Sequence, residues 1–76
     1  MAEGTREFGV SDLEYDLVIT LGNLLQGVEV MTKYANDAGE AGDDECAHLF
    51  SAMRDQHRVW AIQVRSTLAR HVSKAH

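Results

Sequence analysis

Two long apolar stripes with helical spacing, separated by a glycine-rich break, dominate the pattern of this chain. Steps of four and three residues alternate in both stripes, which is the spacing of a helix that buries one side against other helices. The pattern therefore predicts an all-α chain. The first stripe consists of Leu17, Leu21, Leu24, Val28, Met31, Ala35 and Ala38, and the second of Cys46, Phe50, Met53, His57, Trp60, Val64 and Thr67.

Capping residues mark the ends of the two helices. Ser11, followed three residues later by Glu14, forms a capping-box sequence at the start of helix 1. Gly39 is expected to be a left-handed stop, and Asp43 an N-cap for helix 2. The predicted organisation is a flexible tail at residues 1–10 and a helical hairpin at residues 11–74, with helix 1 at about 11–38, a turn at 39–42 and helix 2 at about 43–72.

One antiparallel hairpin cannot bury all of this apolar surface, because two helices touch along one line and further apolar side chains flank it. Burying about six of them against a second copy, at ~1.5–3 kcal/mol each, would supply a gross ~10–18 kcal/mol before association costs. We therefore expect a twofold dimer that forms a four-helix bundle. The flanking residues are Val18, Leu25, Leu49, Val59, Ile62 and Leu68.

The predicted interface draws on the centres of both stripes. Gly22 and Gly27 would each cost about 1 kcal/mol in a helix relative to alanine. They therefore indicate places where another backbone, or a bulky side chain such as Trp60, comes close. The predicted interface residues are Leu17, Leu21, Leu24, Val28, Met31, Phe50, Met53, Trp60 and Val64.

Composition narrows the class of protein. The 76 residues form one small domain, and a single cysteine excludes an internal disulfide and a cysteine-based zinc site. No export signal and no apolar stretch long enough to cross a bilayer are evident, which favours a cytoplasmic protein with no membrane partner.

The charge is divided unevenly along the chain. Residues 1–45 hold two basic and eleven acidic side chains (−9), and residues 46–76 hold five basic and one acidic (+4), which together give −5. An acidic chain is a poor ligand for phosphate backbones, so nucleic-acid binding is not expected. In an antiparallel hairpin the acidic start of helix 1 would lie beside the basic end of helix 2. The residues concerned are Asp12, Glu14 and Asp16 on one side and Arg65, Arg70 and Lys74 on the other.

Three residues are candidates for chemistry. Glu29 and His57 are the candidate metal ligands, since a carboxylate and an imidazole within reach of each other can share a metal. The same two residues can instead form a hydrogen-bonded pair that fixes the register of an interface. Cys46 lies near the amino end of helix 2, where the helix dipole lowers a thiol pKa and acidic neighbours raise it. No complete catalytic motif is present, which favours a non-enzymatic role.

The segments 15–18, 25–29 and 34–43, together with Glu45 and Phe50, resemble short bacterial ferritin-like helical hairpins and, more distantly, the encapsulated ferritins. The resemblance covers about residues 13–70. It implies half of a ferritin-type bundle that dimerisation completes, and in the encapsulated branch it implies larger rings and iron oxidation.

The positions that correspond to the family's di-iron ligands carry other residues in this chain. The helix 1 ligand position holds Gly27, and the helix 2 positions hold His57 and Trp60. Glu29 matches an acidic position that is not the central ligand. The resemblance therefore implies the architecture without the family's di-iron centre.

The sequence thus predicts a non-enzymatic, self-associating module with a structural or protein-interaction role, which forms homo-oligomers and docks on an unidentified protein partner. One alternative is a ferritin-like protein that holds iron or manganese between Glu29 and His57 of both subunits. Another alternative is a dimer that loosens when His57 is protonated near pH 6.

Overall fold

The computed structural model describes residues 11–74, with side chains as far as Ser73, and these residues form a helical hairpin. Helix α1 spans Asp12–Glu40 and helix α2 spans Asp44–Lys74, and the two pack against each other. The molecule measures 52 × 21 × 18 Å. Since one helix with its side chains is about 10–12 Å wide, this cross-section is that of two helices side by side. The prediction of an all-α hairpin is confirmed. The predicted flexible tail at residues 1–10 lies outside the described residues.

Helix α1 begins with the predicted capping box. The Glu14 backbone N–H donates to Ser11 Oγ at 3.1 Å, and the Ser11 backbone N–H donates to Glu14 Oε1 at 3.3 Å. Two backbone donors that no helical carbonyl can reach are satisfied in this way.

The glycine that reverses the chain is Gly42, so the prediction that Gly39 is the left-handed stop is wrong. Helix α1 continues through Gly39, and Gly42 has a φ of +76°. The Gly42 N–H donates to the Gly39 carbonyl at 3.1 Å, and the Asp43 N–H donates to the Ala38 carbonyl at 2.9 Å. These two bonds form a Schellman motif with the left-handed glycine just after the C-cap. Gly39 does not need special freedom because it is still helical.

Asp43 then caps helix α2, as predicted. Its Oδ1 accepts the Cys46 backbone N–H at 3.0 Å, and this bond lowers the pKa of the Asp43 carboxyl. Interaction with the same carboxylate raises the pKa of the Cys46 thiol. The raised pKa agrees with the influence expected of an acidic neighbour, and it makes the thiol less reactive.

Two contacts fix the register of the helices. The rings of Tyr34 and Phe50 meet edge to face with centroids 5.5 Å apart. Seven residues earlier on α1 and seven later on α2, the His57 ring packs on Gly27. Every residue of α1 is therefore level with a defined residue of α2. Gly22, five residues before Gly27, is level with Ile62, five residues after His57.

The first predicted stripe forms the contact line of α1, but the second is only partly right. Met53 and Trp60 are 39% and 58% exposed, so in the single hairpin they lie outside the contact line with α1. Arg54 and Ala61 take those places, because the small Ala61 lets the helices approach closely. Ala38 and Ala61 are the buried hydrophobic residues of the described part. The contact line of α2 comprises Ala47, Phe50, Arg54, His57, Ala61, Val64, Leu68 and His71.

Two of the acidic residues expected to form ion pairs between the two halves, Glu14 and Asp16, do not do so with the arginines that the structure describes. Glu14 and Asp16 pair with neither Arg65 nor Arg70. The Glu14 carboxylate is held in the capping box. Asp16 precedes a contact residue of α1 while Arg65 follows one of α2, which places the two side chains on opposite faces of the hairpin. The Lys74 side chain lies outside the description.

Candidate interaction surfaces

The contact line divides the hairpin into two broad faces. Trp60 and Ile62 flank the buried Ala61, so they point about 100° to either side of it. Leu25, which follows contact residue Leu24 on α1, lines one groove with Ile62. Residues that follow a contact residue therefore share one face, which we call the groove face. Residues that precede one share the other, which we call the Trp60 face.

The Trp60 face is apolar and carries no charged side chain over its central part. Trp60 is 58% exposed, and its large neighbours on this face are 39–56% exposed. The polar residues between them are uncharged. A charge-depleted patch rich in aromatic residues and methionine has the composition of an interface core. The large side chains are Val30 and Tyr34 on α1 and Leu49, Met53 and Trp60 on α2.

The space beside Gly27, where a Cβ would lie, is filled by a side chain of the same hairpin. A Cβ placed on Gly27 would lie 2.8 Å from His57 Nε2 and closer still to His57 Cδ2. The ring is fixed from the other side, because His57 Nδ1 lies 2.7 Å from the Met53 carbonyl oxygen and must donate a proton to it. The expectation of a close approach at Gly27 is confirmed, but the side chain involved is His57 and not Trp60.

The groove face has a different character. Its apolar groove has a volume of about 440 Å³ and lies between the two helices. Ile62 at the edge is 65% exposed, more than any other large apolar residue that the structure describes. Gly22, level with Ile62, has no atom within 4 Å of where its Cβ would lie, so the close approach expected at Gly22 is absent from the single hairpin. The groove is lined by Leu21, Leu25, Arg58, Ala61, Ile62 and Arg65.

The charged groups at this groove are poorly paired. Arg58 Nη1 reaches Asp55 Oδ1 only at 3.8 Å. Neither Arg65 nor Glu29 makes an ion pair or a side-chain hydrogen bond with the residues that the structure describes. Glu29 lies one turn from Leu25 on the same face of α1. The groove thus has basic residues on its α2 side and an acidic residue on its α1 side.

The structure places the two candidate metal ligands on opposite sides of the contact line. The His57 ring packs on Gly27, which precedes Val28, whereas the exposed Glu29 follows it. Among the described residues no three His, Cys, Asp or Glu side chains come together in a way that could hold a metal ion. Iron or manganese binding by Glu29 and His57 stays a prediction, and so does a pH-sensitive dimer.

The nine predicted interface residues divide into two groups. Seven of them are half-buried between α1 and α2, so most of their contact is made within one chain. Met53 and Trp60 remain available to a second copy. Of the six flanking residues, five are exposed and Leu68 is half-buried. Sequence reasoning missed the groove, although Arg58, Ile62 and Arg65 share a helix face at steps of four and three.

Comparison with protein-family models found no match to this chain, and searches of curated proteins and of solved structures found none either. The ferritin-like relationship accordingly stays a prediction that rests on the sequence resemblance. Neither helix, over its described length, has an apolar stretch long enough to cross a membrane.

Proposed function

We propose that this chain is a non-enzymatic helical module that self-associates, and that two hairpins pack through their Trp60 faces into a four-helix bundle. The observation that carries the proposal is the exposure of Trp60 and its apolar neighbours on a face whose centre has no charge. Such a bundle has the architecture of the ferritin-like hairpins that the sequence resembles, with a structural role in place of the di-iron centre.

The weakness of the single hairpin supports the proposal. The buried hydrophobic residues of the described part are two alanines, and no large side chain there is fully buried. Fully burying a large apolar side chain contributes about 1.5–3 kcal/mol, so a hairpin that leaves many of them half exposed forgoes much of its available stabilisation. Chains of this size commonly reach stability through oligomerisation. A second hairpin would cover the Trp60 faces of both copies.

The proposal is tested by changing Trp60 to Glu and measuring mass by sedimentation equilibrium over a wide concentration range at about 0.5 M salt, which screens contacts between surface charges. We expect the wild-type chain to form a dimer or a larger species. W60E should be largely monomeric and less helical by circular dichroism, because a buried unpaired carboxylate opposes association.

Val59→Glu provides the matched control. Val59 is 53% exposed, close to the value for Trp60, but it lies on the side of α2 that faces away from α1. The variant should keep the wild-type mass. A folded, monomeric wild-type chain would contradict self-association, and equal masses for W60E and the wild type would contradict the use of this face.

A further inference from the structure

We propose that the groove face binds α1 of a further copy of this chain, so that pairs joined through the Trp60 face assemble into larger species. The inference rests on the proposed function, since it assigns the Trp60 face to the first partner. It depends on a separate set of observations, which are the poorly paired charges at the groove, the open groove itself and the empty space beside Gly22.

Charge selects the occupant of the groove. Arg58 and Arg65 stand two turns apart on α2 with the apolar Ile62 between them, and Arg65 has no acidic partner in the described chain. The matching ligand is a helix that carries an apolar segment followed by a carboxylate. Helix α1 has this pattern on its own groove face, where Val18, Gly22 and Leu25 are followed by Glu29. A second copy therefore supplies both halves of a complementary contact.

Charge also selects the arrangement of the two copies. A twofold axis across the helices would lay α2 on α2 of the partner and bring four arginines together, which is unfavourable. A twofold axis along the hairpin lays α1 of each copy on α2 of the other. In this second arrangement Glu29 of each copy meets Arg58 of the other, and the contact forms twice by symmetry.

The register of the hairpin then determines which residues meet. A twofold axis along the hairpin keeps each residue at the same height along the helices. Ile62, which is level with Gly22 in one hairpin, therefore lies opposite Gly22 of the partner subunit. Arg58 lies within one turn of Glu29 of the partner subunit, which is within reach of an arginine side chain. Because Gly22 has no neighbour within 4 Å of a Cβ position, the partner's exposed Ile62 can approach the helix backbone there. This contact gives a physical reason for a glycine in the middle of α1.

The test is a charge exchange in the full-length chain. Arg58→Glu and Glu29→Arg are made separately and together, and the mass distribution is measured by analytical ultracentrifugation at low salt and at about 0.5 M salt, where charges are screened within a few ångströms. Arg70→Glu, which changes the charge equally at an exposed position outside the groove and beyond the uncharged centre of the Trp60 face, is the control. Circular dichroism verifies that each variant is folded.

We expect wild type and R70E to form species larger than a dimer at low salt and to fall to the dimer at high salt. Each groove variant should raise the dissociation constant of the larger species about tenfold or more, and the double variant should restore it. Three results would overturn the inference: a wild type that never exceeds a dimer, an R58E that behaves like R70E, or a double variant without recovery. The W60E result is independent of all three, so failure of the groove contact and failure of the proposed function are distinguishable.

Discussion

The two faces of the hairpin each contain a helical glycine and a large exposed apolar side chain, yet they differ in every other respect. On the Trp60 face the space beside Gly27 is filled by the His57 ring of the same chain, and the surrounding surface is uncharged. On the groove face Gly22 is open, and charged residues border the apolar groove. An uncharged apolar face gives association strength with little control of register, whereas a charged groove gives register with less apolar area.

Gly27→Ala is expected to have the largest effect on stability within either face. The added methyl group would overlap the His57 ring, which is also tied to the Met53 carbonyl. Overpacking of this kind typically costs about 1–3 kcal/mol. The free energy of unfolding, measured by denaturant titration at fixed protein concentration, should fall by that amount. An unchanged midpoint would show that the ring moves aside without loss.

A double-mutant cycle sharpens this prediction. In a His57→Ala background nothing fills the space beside Gly27, so the same Gly27→Ala change should stabilise the helix by about 0.5–1 kcal/mol. The sign of the effect is thus expected to reverse between the two backgrounds. A destabilisation of equal size in both would mean that His57 is not the group in contact.

Gly42→Ala tests the turn that aligns both faces. A φ of +76° is unfavourable for any residue with a Cβ, and we expect a loss of about 1–2 kcal/mol in the free energy of unfolding. Gly39→Ala is the matched control, because Gly39 is helical with open space around it and should gain about 0.5–1 kcal/mol. Denaturant titration of the two variants side by side gives the comparison.

The sequence predicted the hairpin well because its strongest signals are local. The capping box at Ser11 and the N-cap at Asp43 depend on residues three positions apart, and both appear as predicted. The stop at Gly39 was wrong by three residues. Gly39 and Gly42 are close together, and either is a suitable residue for the end of a helix. Only the backbone shows that Gly42 is the left-handed one.

The candidate site was harder to predict because it depends on packing between helices. A stripe that includes Trp60 and one that includes Ala61 fit α2 about equally well by spacing, and the choice depends on how closely α1 approaches. The structure places Ala61 in the contact line, which turns Trp60 and Ile62 to opposite faces. The placement of His57 away from Glu29 depends on the direction of the His57 ring, which lies on Gly27, and no single-helix pattern can predict that direction.

Gly22→Ala should have a smaller effect on stability, and it should act on the groove face alone. Nothing in the described hairpin meets the new methyl group, so we expect the free energy of unfolding of the protein to rise by about 0.5–1 kcal/mol. The same methyl group would hold Ile62 of the partner subunit away from the helix. The salt-sensitive larger species should therefore weaken while stability rises. Denaturant titration and ultracentrifugation of one preparation measure both, and a joint increase would contradict the assigned register.

The smallest expected effect concerns the pH dependence of the cap that supports both faces. The Cys46 backbone N–H lowers the pKa of Asp43 in the folded chain. The ionised carboxylate therefore contributes stability above the ordinary pKa of an aspartic acid, and this contribution is lost as the pH falls through the lowered folded value. Asp43→Asn keeps an oxygen that can accept the N–H bond but cannot ionise. Its melting temperature should decline less steeply than that of the wild type below about pH 4. Parallel declines in scans at one protein concentration would show that the charge of Asp43 contributes nothing to the cap.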